Sequence, residues 1–179
     1  MKKKRLLVVV DMQNDFISGA LGTNEAQAII PNITDKIKSW NGDIILTQDT
    51  HRGGRRYLKT AEGKKLPVKH CIKNTDGWRI NKDILSYANP TTRQVTTFAK
   101  ETFGSVAMAN YIKKMDYKHI EFVGVCTDIC VISNVLMVKA FLPEAEIIVD
   151  SSCCAGVTPL SHKNALEAMK MCHIDIINE

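Results

Sequence analysis

The stretch RLLVVVDMQNDF, residues 5–16, decides the fold. Arg5–Val10 is rich in β-branched residues and too short for a helix, so it reads as a buried strand. Asp11 ends it with a charge. The same signature recurs along the chain, and further strands are expected at Asp43–Thr47, Gln94–Phe98, His119–Val125, Glu146–Val149 and Ile174–Ile177. Amphipathic segments lie between them, near Glu25–Trp40, Ser105–Lys114, Asp128–Phe141 and Pro159–Met171. In the last of these, Leu160, Ala165, Ala168, Met169 and Cys172 supply an apolar stripe at helical spacing. Strands alternating with helices imply βαβ units and a mostly parallel α/β sheet covered on both faces.

A chain of 179 residues is one domain's worth, and residues 1–179 are expected to form a single unit. Its net charge of +5 is a mild excess, and the only dense basic run is Lys2–Arg5. Nucleic-acid binding would call for a basic stripe with interleaved aromatics. The apolar run after Arg5 is too short for a signal peptide or a membrane span. Six cysteines with no CxxC pair and no secretion signal read as reduced thiols in a cytoplasmic protein. One irregular stretch, from His51 to about Ile80, is too long for a routine connection, and it carries His51, His70, Cys71 and Trp78.

Ligands of open parallel sheets bind beyond the carboxyl ends of the strands, near the point where strand order reverses. The residues there are Asp11 after the first strand, Asp49 and His51 after the second, Lys100 after the third, and Thr127–Cys130 after the fourth. Four consecutive strand ends thus deliver a carboxylate, metal-type ligands, a lysine and a thiol to one edge. Cys130 falls in the first turn of the following helix, with Thr127 or Asp128 as N-cap, where the helix dipole favours a thiolate nucleophile. Cys126 competes from the strand end. Asp11 reads as a general base or a turn cap, with Asn14 and Asp15 the better cap candidates. Asp49 and His51, at i and i+2, point the same way from an extended segment; His70 returns from the loop and Glu62 lies between. Such a set suits Zn²⁺, Fe²⁺ or Mn²⁺. His119, His162 and His173 have no such grouping and read as structural or surface residues.

The segments VVVDMQNDF (8–16), TQDTH (47–51), LPVKHCIKNTDGW (66–78), FAKETFGS (98–105), GVCTDICV (124–131) and VDSSCCAG (149–156) together resemble the isochorismatase-like cysteine hydrolases, and among them the nicotinamidases. The resemblance implies a three-layer, Rossmann-like open sheet of six parallel strands. It implies a catalytic triad of Asp11 as base, Lys100 as electrostatic partner and Cys130 as nucleophile. It further implies a non-proline cis peptide at Val125–Cys126 and an oxyanion hole formed by the amides of Cys126 and Cys130. Asp49, His51 and His70 would bind one divalent metal, zinc first with iron or manganese as alternatives, and Glu62 would be a further ligand. Phe16 stands where the family places a residue that stacks on the substrate ring. Two departures bear on substrate: Thr50 follows Asp49 where an aromatic is common, and Leu66-Pro67 stands where Trp-Pro is common.

The expected activity is hydrolysis of nicotinamide, or a related small carboxamide, to the acid and ammonia through a cysteine thioester. The expected enzyme is cytoplasmic and homo-oligomeric, with a small amide as its partner and neither nucleic acid nor membrane. Two other readings compete. One is a family hydrolase acting on a different small amide or on a carbamoyl compound, the carbamoyl case being the one that His51 and His70 disfavour. The other is a non-enzymatic metal- or redox-sensing protein, for which the six thiols are the hint.

Overall fold

The computed structural model describes residues 4–53, 56–88 and 93–179. Lys2 and Lys3 of the basic run, and residues 54–55 of the long loop, lie outside that set. Six strands, β1 (Arg5–Val10), β2 (Asp43–Asp49), β3 (Val95–Lys100), β4 (His119–Val125), β5 (Glu146–Ala155) and β6 (Asp175–Ile177), form one sheet. All are parallel, in the order β3-β2-β1-β4-β5-β6. The order runs outward from β1 in one direction and from β4 in the other, so the reversal falls between β1 and β4. Asp11 leaves the sheet there beside the Val125–Cys126 corner.

Successive residues of a strand face opposite ways, and β1 divides two cores accordingly. Leu6, Val8 and Val10 pack with Ile112, Val135 and Met169. These come from α6 (Val106–Met115), α7 (Ile132–Phe141) and α8 (Pro159–Met171). Leu7 and Val9 pack on the other face with Ile33, Ile37 and Ile84, from α3 (Ile30–Ser39) and α5 (Lys82–Ala88). Among the described residues no helix is long and apolar enough to cross a membrane.

Several boundaries differ from expectation for local reasons. The segment Glu25–Trp40 is two helices, α2 (Asn24–Ala28) and α3, because Pro31 at the second helix start cannot donate into a continuous one. Strand β5 continues to Ala155, its polar residues Asp150, Ser151 and Ser152 notwithstanding. On α8 the buried stripe is Ala165, Leu166 and Met169, while Leu160, Ala168 and Cys172 face solvent. The long loop is partly ordered into a 3₁₀ turn (Tyr57–Lys59) and the short helix α4 (Ala61–Lys65).

Candidate active site

Residues 11–15, which run from the end of β1 into the short helix α1 (Asn14–Ile17), organise one side of the site. Asp11 has φ of 49°, a left-handed conformation that a residue with a Cβ holds only when its surroundings enforce it. Thr47 on β2 supplies that enforcement: its hydroxyl accepts from the Asp11 amide (3.1 Å) and donates to Asp11 Oδ1 (2.6 Å). Gln13, fully buried, accepts from the Asp49 amide (2.7 Å) and donates to the carbonyls of Asp49 and Trp78 (2.9 and 2.8 Å). Asp15 accepts from the amide of Cys71 (2.7 Å), and Asn14 donates to the Asp76 carbonyl (2.9 Å). One short segment thus holds both the end of β2 and the returning loop. Contrary to the expectation from sequence, neither Asn14 nor Asp15 caps α1; Gln13 holds the cap position, and the Asn14 and Asp15 side chains reach to the loop instead. Sequence reading gives no role to Gln13 or Thr47, although each lies within one of the quoted motifs.

Lys100 reaches across from the end of β3. Its ammonium lies 2.6 Å from Asp11 Oδ2 and donates to Cys130 Sγ at 3.5 Å. Asp49 Oδ1 is 3.9 Å from the same nitrogen. Burial opposes the Lys100 charge, but Asp11, Cys130 and Asp49 outweigh it and hold the group above its usual value. Burial pushes the Asp11 carboxyl up, with Lys100 pulling the other way and Asp49 adding to the rise.

Cys130 departs from expectation in two respects. It lies in a π-turn (Thr127–Val131) preceding α7, with Cys126 rather than Thr127 or Asp128 at the cap position. Wide turns of this kind recur at functional sites. Here the Cys126 carbonyl accepts from both Ile129 and Val131 (3.1 and 3.0 Å), so the turn swings about the Cys126–Thr127 link. Its thiol is also not acidified. Burial and the Asp11 charge push it well above its ordinary value despite Lys100, so the resting side chain is a thiol that needs a base. The Val125–Cys126 peptide is cis, as the resemblance implied. Just before it, Gly124 has φ of 117°, and a Cβ there would collide with the Val10 carbonyl. Only glycine lets β4 close on β1 beside Asp11.

The second cluster adjoins the first. Ligand-type atoms of Asp49, His51, Glu62 and His70 all lie within 4.8 Å of one another. Asp49 Oδ2 is 2.8 Å from His51 Nε2 and 3.4 Å from His70 Nε2, and Glu62 Oε1 is 3.5 Å from each ring nitrogen. The loop returns to β2 through His51 N–H to Cys71 O (2.9 Å) and Lys73 N–H to His51 O (3.0 Å), which sets His70 beside His51. Tyr57, also missed from the sequence, packs against both imidazoles at 4.7 and 5.3 Å between ring centroids.

The donor set fits a divalent cation. His51 Nε2 is buried and makes no hydrogen bond despite the nearby carboxylate, and His70 Nδ1 is bound to the Val68 carbonyl at 2.8 Å, which turns Nε2 inward. Burial works against charging either imidazole. Asp49 and Glu62 outweigh it, raising His51 to about 9 and His70 to about 10. The imidazoles lower Glu62 to about 2, and Asp49 is held well below the carboxylate range. Protons gather at the centre of this cluster, where a dication would replace them.

Both clusters open on one cavity of about 260 Å³, lined by Asp49, Glu62, His70, Cys126 and Cys130 together with Phe16. Its mouth is formed by Leu66, Phe103 and Val157, which are 37%, 46% and 51% exposed. Asp11, Lys100 and His51 stand behind that lining, Lys100 joining Asp11 to Cys130 and His51 lying 2.8 Å from Asp49, and the Phe16 ring is 5.5 Å from His70. The position of Thr50 is covered instead by Trp78, whose indole donates to the Thr50 hydroxyl at 2.9 Å.

A model of the Isochorismatase domain matches residues 5–178. The chain belongs to the isochorismatase family. Among characterised relatives it is similar to the nicotinamidase of Saccharomyces cerevisiae, 23% identical, with 98% of this chain and 100% of that protein covered. Among solved structures it is similar to the pyrazinamidase of Pyrococcus horikoshii in complex with zinc. That match has a TM-score of 0.80 and 26% identity, covering 98% of this chain and 99% of that one. The nicotinamidase/pyrazinamidase of Bacillus subtilis shares the isochorismatase-family fold at a TM-score of 0.84 and 20% identity, with 98% and 100% covered.

Proposed function

We propose that the chain is a nicotinamidase-like amidohydrolase that converts nicotinamide, or a closely related heteroaromatic carboxamide, to the acid and ammonia through a thioester on Cys130. The observation that carries this reading is the shared cavity: Cys130, joined through Lys100 to Asp11, and Asp49, Glu62 and His70 of the metal-type cluster line one space of about 260 Å³. The nicotinamidase and pyrazinamidase relatives support it.

In this mechanism Asp11 takes the Cys130 proton as Sγ bonds to the amide carbon. The raised proton affinity of Asp11 suits it to a buried thiol, because a base works best when its pKa approaches that of the acid it deprotonates. Lys100 stays an ammonium, and neutralises first the carboxylate and then the developing thiolate. The amides of Cys126 and Cys130 hold the carbonyl oxygen as it becomes an oxyanion. Asp11 returns the proton to nitrogen, the C–N bond breaks and ammonia leaves. A water then gives Asp11 its proton as it attacks the thioester, and the acid departs as Cys130 recovers its thiol. Phe16 supplies an apolar wall for the ring. Asp49, His51, His70 and Glu62 would hold one divalent metal, zinc first and iron or manganese next, which when bound offers an electrophilic anchor for a ring nitrogen. A cytoplasmic, homo-oligomeric enzyme of pyridine-nucleotide salvage goes with this reading.

A second reading, a family hydrolase of another small amide, is favoured by Leu66 at the cavity mouth, an aliphatic side chain in place of an aromatic one. Ammonia release from a panel of small amides, with metal added or chelated, separates the two. Metal-dependent turnover of nicotinamide supports the first. Turnover of another amide alone supports the second.

A further inference from the structure

The π-turn that carries Cys130 is tethered from outside by the connection between β5 and the first turn of α8. The Thr127 hydroxyl is 2.8 Å from His162 Nδ1, and His162 Nε2 is 3.2 Å from the Ser151 hydroxyl. One residue on, the Asp128 carboxylate accepts from the Val157 amide at 3.1 and 3.4 Å. Thr127 is fully buried, and among the described residues His162 is the one side chain hydrogen-bonded to its hydroxyl.

We propose that His162 is a positioning residue for thioester chemistry: acting through Thr127, it fixes the Cys126–Thr127 end of the π-turn and so the relative placement of the Cys130 nucleophile and its oxyanion donors. The inference rests on the amidohydrolase reading above.

The frame behind His162 is stiff. A capping box formed by Thr158 and Ser161, with Pro159 at the start, fixes the first turn of α8, and the His162 amide donates to the Thr158 carbonyl at 2.9 Å. Gly156 lies against His162 so closely that a Cβ there would collide with it. Strand β5 meets β4 at the same level, Gly124 opposite Cys154 and Val125 opposite Ala155. Strand end, helix start and π-turn therefore share one register, and the imidazole spans them. Burial holds that imidazole below its ordinary pKa, keeping it neutral and able to donate from one nitrogen while accepting at the other.

The far end of the π-turn is held separately: Asn134 donates to the Cys130 carbonyl at 2.7 Å and Ser133 to the Ile129 carbonyl at 2.6 Å, so His162 and Val157 are what grip its near end at Thr127 and Asp128. Displacement of a reacting group by about 1 Å costs about 10²-fold in rate. Loss of one tether, with Asp128 still bound to Val157, should move the turn by less.

The test is steady-state ammonia release by His162→Ala, His162→Asn, Thr127→Val and the Thr127→Val/His162→Ala double variant, with melting curves for each. His162→Ala is expected to lower kcat about tenfold with KM within twofold. His162→Asn, whose amide occupies the place of Nδ1, is expected to recover most of that loss. Thr127→Val should match His162→Ala, and the double variant should be no worse than either, because all three break one link. Normal kcat in His162→Ala, multiplying losses in the double variant, or a loss confined to KM would each overturn the proposal. If His162→Ala does not fold, Thr127→Val and His162→Asn carry the test: normal kcat in Thr127→Val overturns the proposal, and a tenfold fall with an active His162→Asn upholds it. A wild-type chain that releases ammonia from no amide overturns the amidohydrolase reading and this one together. An active wild type with an equally active His162→Ala overturns only the role of His162.

Discussion

Two lysines, each beside two carboxylates, have different uses: Lys100 is buried, whereas Lys36 keeps 17% of its side chain exposed. Lys36 on α3 pairs with Glu121 on β4 and with Asp150 on β5 at 2.5 Å, beneath the helix and in mid-strand. Asp150 is further bound by the Ser152 amide and hydroxyl (3.1 and 2.8 Å) and by the Asn178 side chain (3.1 Å). Every charge there has well-placed partners. Lys100 has Asp11 at 2.6 Å and Asp49 only at 3.9 Å, with a thiol rather than a second close carboxylate. Its cluster lies beyond the strand ends, beside a cavity, on a residue with a left-handed backbone. The difference is not in the kinds of residue but in completeness. A saturated network holds structure, whereas a network that stops short of saturation at a cavity wall has capacity left for a substrate.

The sharpest way to break this comparison is to open each network. Asp11→Asn and Lys100→Ala should each lower kcat by about 10³-fold or more while the fold and metal content persist, and Cys130→Ala should be inactive. The Asp11→Asn/Lys100→Ala pair should be little worse than either single variant, because members of one catalytic unit do not contribute additively. Fully multiplying losses in ammonia-release assays would mean that the two do not act as a unit.

The next largest effect lies where the two clusters of the site meet, at Asp49. His51→Ala and His70→Ala should remove bound metal, measured by elemental analysis of the purified protein. They should also collapse a preference for nicotinamide over benzamide that reaches up to about 10⁴-fold where the ring nitrogen has a buried partner. Retained metal in both variants would remove Asp49, His51, Glu62 and His70 as the ligand set.

Much of this was legible in the sequence because it depends on strand ends. A parallel sheet places the residue after each strand on one edge, so Asp11, Asp49, His51, Lys100 and Cys130 could be grouped before any distance was known. Their electrostatics could not. A helix start suggests an acidic thiol, but burial and Asp11 outweigh Lys100 and push it up, and both depend on packing. Gln13, Thr47 and Tyr57 were passed over for a related reason. A buried glutamine, threonine or tyrosine has no spacing signature, and its role comes from partners at least 36 residues away, as for Gln13 and Thr47, or from ring contacts that only a folded loop creates. The Lys36 network is equally invisible, because its members come from a helix and two strands with no common motif.

At the cavity mouth the effects should be smaller. Phe103→Ala exposes the ring's entrance, and each lost aromatic contact is worth about 0.5–1.5 kcal/mol. A rise in KM of about two- to tenfold with kcat nearly unchanged is expected, since the contact is made equally to substrate and transition state. A fall in kcat without a rise in KM would move Phe103 from the mouth into the catalytic machinery.

The smallest effect on turnover should come from Lys36→Met, which tests the other half of the comparison. Per folded molecule, kcat should be unchanged, because no atom of that network touches Asp11, Lys100 or Cys130 among the contacts described above. Stability should fall by about 3–5 kcal/mol, the usual cost of leaving a buried charge unpaired. The pH dependence gives the sign. In the wild type, Asp150 is held below its ordinary 3.8, so its contribution is complete above that value and is lost as pH falls through the depressed one. Lys36 is held above its ordinary 10.5, so its contribution is complete below that value and is lost as pH rises through the raised one. Between those limits the network stabilises fully. Without Lys36, Asp150 faces Glu121 with no cation, and protonating Asp150 relieves the repulsion. The deficit of the variant should therefore be largest near neutral pH and shrink as pH falls toward 4, as measured by urea unfolding at a series of pH values. A deficit that stays constant from pH 7 to 4 would mean that Lys36 stabilises by packing rather than by charge, and that the two lysines differ in more than the saturation of their partners.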